Sequence, residues 1–118
     1  MSLLDFATAT GKQRKDLLAK ARKASELLKA LSHDGRLLML CLLAEGEKTV
    51  SEIEEIMDMP QAAVSQQLAR LRLDELVSAR REGRNIHYSI SDPNVRAIID
   101  TLHKLYCEPQ RPAIRRRN

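Results

Sequence analysis

Between Thr49 and Leu73 two short helical patterns are separated by only three residues, Asp58-Met59-Pro60. A connection that short leaves two helices packed against each other and little else they can do. Thr49 followed by Glu52 is a capping box, the signature of a helix start. The first pattern, 50–57, turns Ile53, Ile56 and Met57 inward and Glu52, Glu54 and Glu55 outward. Proline cannot continue a helix, so Pro60 marks the break. The second pattern, 61–73, has Val64, Leu68 and Leu71 as its inner stripe. Together they form a helix-turn-helix pattern.

The flanking segments complete the architecture. Residues 12–31 read as a long amphipathic helix with Leu17, Leu18, Ala21, Ala24, Leu27, Leu28 and Leu31 at helical spacing and a lysine- and arginine-rich opposite face. Ser32 is expected to cap a second helix, apolar nearly all round to Ala44 and therefore buried. Glu45-Gly46-Glu47-Lys48 is its stop. After the helix pair, Val77–Arg81 and Ile86–Ile90 alternate as strands around a Glu82-Gly83-Arg84-Asn85 turn. Asp92-Pro93 opens a last helix with Val95, Ile98, Ile99, Leu102, Leu105 and Tyr106 as its stripe. The fold class is mainly α with a small β-hairpin: a winged helix-turn-helix with an added helix at each end. The expected division is a flexible extension at 1–11, one domain at 12–107, and a disordered basic tail at 108–118.

Composition narrows the function classes. A chain of 118 residues is one domain, and 43% hydrophobic with 31% charged residues excludes disorder along the whole length. Aromatics are 3%, namely Phe6, Tyr88 and Tyr106, so the core must come from Leu, Ile, Val and Met, and a helical dimer would ease the shortage. The longest apolar run, Leu37 to Ala44, is far short of a membrane span, so no membrane partner is expected. Met1–Thr10 has no secretory pattern; the expected compartment is the reducing cytoplasm, where two cysteines remain thiols. The net charge of +4 favours a polyanionic partner.

The second helix of such a pair fits the major groove of double-stranded DNA. Ser65, Gln66, Gln67 and Arg70 are candidate base readers, because Gln pairs bidentately with adenine and Arg with guanine. Gln61, at the helix start, suits a phosphate. Arg80, Arg81 and Arg84 surround Gly83 at the hairpin tip and suit the minor groove. The amphipathic segments 12–31 and 92–106 are the natural homodimer surface, giving two reading heads. Taken one residue at a time, each of these is also an ordinary solvent-facing side chain.

Three runs together resemble the ArsR family of bacterial winged-helix repressors: Ala30-Leu31-Ser32-His33-Asp34-Gly35-Arg36-Leu37, then Val64-Ser65-Gln66-Gln67-Leu68-Ala69-Arg70-Leu71, then Arg80-Arg81-Glu82-Gly83-Arg84 with Tyr88. The resemblance covers roughly 25–107 and implies a cytoplasmic homodimer that blocks operator DNA until an inducer arrives. Pro60 departs from it, standing where a capping Ser, Thr or Asn is usual. The family's two common metal sites lack their ligands here. Thr49 and Ser51 stand where thiols would be, and Asn94 and Leu105 where histidines would follow Asp92. No cofactor is therefore expected.

Cys41 and Cys107 remain. By themselves they read as a small core residue and a surface thiol. The resemblance to the family's thiol-based, sulfide- and persulfide-responsive branch implies more. There, reactive sulfur species join one cysteine on each of these helices through a disulfide or polysulfide, DNA is released, and sulfide-handling genes are derepressed. On that reading Cys107 is attacked first and Cys41 resolves it, and persulfide donors act better than peroxide. One rival is a metal- or haem-responsive repressor using Cys41, His103 and Cys107, with His33 or Glu108 completing a metal site. Another is a small thiol enzyme, disfavoured because no Cys-x-x-Cys, nucleotide loop or acid–base dyad is present. The third is a protein-interaction module that does not touch DNA.

Overall fold

The structure is a computed structural model that describes residues 3–107. The expected basic tail, 108–118, lies outside them. Two compact units divide between Leu37 and Leu38.

In the first unit a 3-10 helix, Leu3–Thr8, precedes α1, Gly11–Leu31. Thr10 starts α1 with a reciprocal capping box: its hydroxyl accepts the Gln13 N–H at 3.2 Å and its own N–H reaches the Gln13 side chain at 2.9 Å. The Arg14 guanidinium sits 5.7 Å from the centre of the Phe6 ring. Within α1 only Leu17 and Leu31 are buried, while Leu18 and Leu28 of the expected stripe are exposed.

The expected cap at Ser32 is corrected. Ser32 closes α1 instead, its hydroxyl donating to the Lys29 carbonyl at 2.8 Å. The next helix, α2, runs Asp34–Glu45, and the ring of His33 takes over its start, with Nδ1 accepting the Arg36 N–H at 3.4 Å. A Ser between two helices can serve either end; here the orphan carbonyls of the preceding helix won.

The second unit begins inside α2. Met39, Leu40 and Leu43 are buried, but Leu38 is 61% exposed, so the helix is not buried all round. β1 is Lys48–Thr49 and α3 is Val50–Met57, started by the expected box between Thr49 and Glu52. Asp58 ends α3 in the left-handed region at φ 52°, a conformation Asp tolerates better than most residues. α4, Gln61–Leu73, follows after Pro60. Val64, Leu68 and Leu71 are buried as the spacing requires, and Ile53 meets the same core. Ile56 is corrected: it is 56% exposed, because three residues on from the buried Ile53 the helix has turned it about 60° off that inward direction.

β2, Val77–Glu82, and β3, Asn85–Ile90, form the hairpin, with Gly83 at φ 64° in the turn. β1 adds an edge strand that periodicity could not show, giving an antiparallel sheet of order β1-β3-β2. In its register Thr49 faces His87, and His87 faces Arg80. α5, Pro93–Tyr106, starts where Asp92 accepts the Asn94 and Val95 N–H groups. Its Val95 and Ile99 join the core, whereas Leu105 and Tyr106 are 59% and 80% exposed. The inward stripe thus ends before the helix does.

Candidate nucleic-acid interface and thiol pair

Pro60 starts α4 with its carbonyl, which accepts the Ala63 and Val64 N–H groups at 3.0 and 3.1 Å, and with no side-chain cap. The earliest N–H groups of a helix have no partner within it, so this end suits an anion. Gln61, Ser65, Gln66 and Arg70 are exposed, while Gln67 is half-buried. The Arg70 Nε lies 3.4 Å from Asp74 Oδ2, a solvent-facing pair that a base edge can displace.

At the hairpin, Arg81 and Arg84 are exposed on either side of the turn. Arg80 is differently engaged. Its Nη2 donates to Glu47 Oε1 at 2.6 Å and its Nε to Glu47 Oε2 at 3.3 Å, a two-pronged grip. Glu82 Oε2 lies 3.6 Å from Arg80 Nη1. His87 lies between the two carboxylates, with Nδ1 3.8 Å from Glu47 and Nε2 3.6 Å from Glu82. The Arg80 hydrogen bond is the main reason the Glu47 carboxyl sits below its ordinary range. A depressed carboxylate stabilises the fold above that range, and the contribution disappears as pH falls through the lowered value. Sequence reading missed Glu47. The hairpin register alone pairs Arg80 with His87, but Glu47 joins them only once β1 has docked.

The two cysteines are free thiols, Cys41 half-buried on α2 and Cys107 exposed at the end of α5. Burial pushes the Cys41 thiol up, and the charge of Cys107, followed by that of Glu45, adds to the rise. Cys41 is therefore protonated at neutral pH and a poor nucleophile. Iodoacetamide at pH 7.5 is expected to label Cys107 at least about tenfold faster than Cys41, as peptide mass spectrometry with time would show. Equal rates would contradict this order.

The positions of the family's usual metal sites have other work. The Thr49 hydroxyl caps α3 and the Asp92 carboxylate caps α5. Among the described residues no three His, Cys, Asp or Glu side chains are grouped to hold a metal ion. No helix among them is long and apolar enough to cross a membrane.

A helix-turn-helix preceded by β1 and followed by an arginine-bearing hairpin, the three strands forming one sheet, defines a winged-helix DNA-binding regulator. Residues 33–79 match the family model of bacterial regulatory proteins, arsR family. The chain is 43% identical over 86 residues to the transcriptional activator HlyU of Vibrio cholerae, covering 73% of this chain and 80% of that one. It is 37% identical over 91 residues to the biofilm growth-associated repressor of Agrobacterium fabrum, covering 77% and 78%. The crystal structure of HlyU from Vibrio vulnificus superposes with a TM-score of 0.77 at 40% identity, over 80% of this chain and 99% of that one. The chain belongs to the ArsR family of transcriptional regulators.

Proposed function

We propose that this regulator is a homodimeric repressor that holds operator DNA while its thiols are reduced and releases it when Cys41 and Cys107 are joined. α4 would read the major groove through Ser65, Gln66, Gln67 and Arg70, with Gln61 on a phosphate. The hairpin would bring Arg81 and Arg84 to the minor groove. A second copy would cover the exposed Leu18 and Leu28 of α1 and, in the other unit, Leu38, Leu105 and Tyr106. Repression is favoured by the relative named a repressor, although another relative is named an activator.

What supports the thiol reading is two free thiols on helices far apart in sequence, Cys41 on α2 and Cys107 at the end of α5, the half-buried Cys41 thiol being raised by burial and then by Cys107. Cys107 attacks the outer sulfur of a persulfide RSSH, becomes Cys107–SSH and releases RSH. The Cys41 thiol then attacks the inner sulfur of Cys107–SSH, forming a disulfide and expelling H2S. Alternatively, a second RSSH supplies one more sulfur. The two protein thiols and two RSSH then give a trisulfide, two RSH and one H2S. The persulfide is the oxidant in both routes. Inserted sulfur lets the bridge span a separation wider than the roughly 4.4–6.8 Å between Cα atoms that a direct disulfide requires.

The test is a DNA titration of the reduced full chain across salt, repeated after persulfide, peroxide or zinc. Affinity of the reduced protein must fall steeply with salt. Persulfide must release the DNA more effectively than peroxide, and the trisulfide route must leave added sulfur in the intact mass. A product that has only lost two hydrogens would refute the sulfur-chain version, and zinc-driven release would favour a metal sensor.

A further inference from the structure

We infer that Glu47 and Arg80 are positioning residues for DNA binding: their fork sets the wing from the end of α2. This rests on the proposal that the hairpin meets DNA. Val77 is the one fully buried residue of the hairpin; Ala79 and Ile86 to Ile90 are half-buried, and from Arg80 to Asn85 every side chain is exposed. Half-buried side chains can slide, so the exposed Arg80–Asn85 stretch takes its direction largely from polar contacts.

Those contacts form one cross-strand row. Thr49 on β1, His87 on β3 and Arg80 on β2 are direct neighbours in register. Glu47, two residues before Thr49, reaches across the row to Arg80 through the 2.6 and 3.3 Å hydrogen bonds, and His87 and Glu82 flank the pair at 3.6–3.8 Å. A guanidinium gripped through two nitrogens has a fixed orientation as well as a fixed distance. The anchor is itself held. Lys48 Nζ donates to the Gly46 carbonyl at 3.3 Å, and Arg96 of α5 approaches the Ala44 carbonyl at 3.4 Å. The link leaving α2 is thus tied to the wing on one side and to α5 on the other. Arg80, expected as a minor-groove contact, is half-exposed at the surface with its guanidinium paired to Glu47.

The experiment uses the reduced full chain and a duplex that the wild-type protein has enriched from a random-sequence pool. Affinity is measured across salt for wild type, Glu47→Gln, Arg80→Gln, the swapped double variant Glu47→Arg/Arg80→Glu, and Arg84→Gln. Both single variants at the fork should bind about five- to tenfold more weakly, with the salt slope unchanged. The swap, which keeps the net charge, should return to within about threefold of wild type. Arg84→Gln should lower the slope by about one phosphate contact. The inference is overturned if Glu47→Gln tightens binding while Arg80→Gln lowers the slope, for Arg80 is then a phosphate contact. It is also overturned if the single variants bind as wild type or the swap stays weak. An Arg84→Gln variant that changes nothing would instead remove the wing from the DNA interface, and this role with it. Thermal melting of each variant separates misfolding from misplacement.

Discussion

Cys107→Ser protein is expected to bind DNA as tightly as reduced wild type and to keep that grip after persulfide treatment. The wild type should lose about 5- to 150-fold in affinity, the range of a regulatory coupling of about 1–3 kcal/mol. The effect is large because the bond joins α2 to α5, elements whose cysteines are otherwise related only through the folded core. Cys41→Ser should be equally unresponsive for a different reason. Cys107, the exposed thiol, still accepts sulfur, but no partner closes the bridge. The masses tell the two apart: Cys41→Ser gains sulfur on Cys107 without crosslinking, and Cys107→Ser gains little, because burial keeps the Cys41 thiol protonated. A Cys107→Ser protein that releases DNA like wild type would end the thiol account and leave the DNA-binding role standing.

Leu68→Ala should be the most damaging single truncation of the reading helix. Leu68 is fully buried on α4 between Val64 and Leu71, which are equally buried. Removing its side chain loses the transfer energy of the missing carbons and leaves a cavity, about 2–5 kcal/mol. Against a total stability of roughly 5–15 kcal/mol this is a large share. Melting followed by circular dichroism should fall by roughly 10–20 °C. DNA binding should fail with the fold and persist at temperatures where the variant is still native. Gln66→Ala, on the exposed side of the same helix, should leave the melting temperature within about 2 °C of wild type. It should weaken DNA binding by about tenfold, the loss of one base contact. If Leu68→Ala melts as wild type does, the core assignment of α4 is wrong.

These two residues mark how far local rules reach. The bounds of α3, the inner stripe of α4 and the cap of α5 were all legible, because each depends on residues within four positions of one another. Ser32 was misread although it too is local, since its hydroxyl had two helix ends to choose from and its sequence neighbours do not decide between them. Period alone turns Ile56 and Leu105 inward, and the nearly all-apolar run of α2 does the same for Leu38, yet all three are exposed. A helix turns its apolar side chains in a repeating pattern whether or not an element lies opposite each one.

Amphipathic period, capping chemistry and turn residues act along the chain, and they wrote the helix-turn-helix, the hairpin and the order of elements before any long-range contact formed. Which arginine on the wing is free and which is gripped was left to the docking of β1 on β3. That event brings Glu47 to Arg80 across 33 positions of sequence. The influence of Cys107 on the Cys41 thiol likewise exists only in the folded chain. Contacts of such long range require closing a large loop, whose entropy only the cooperative core can offset, so no local pattern announces them.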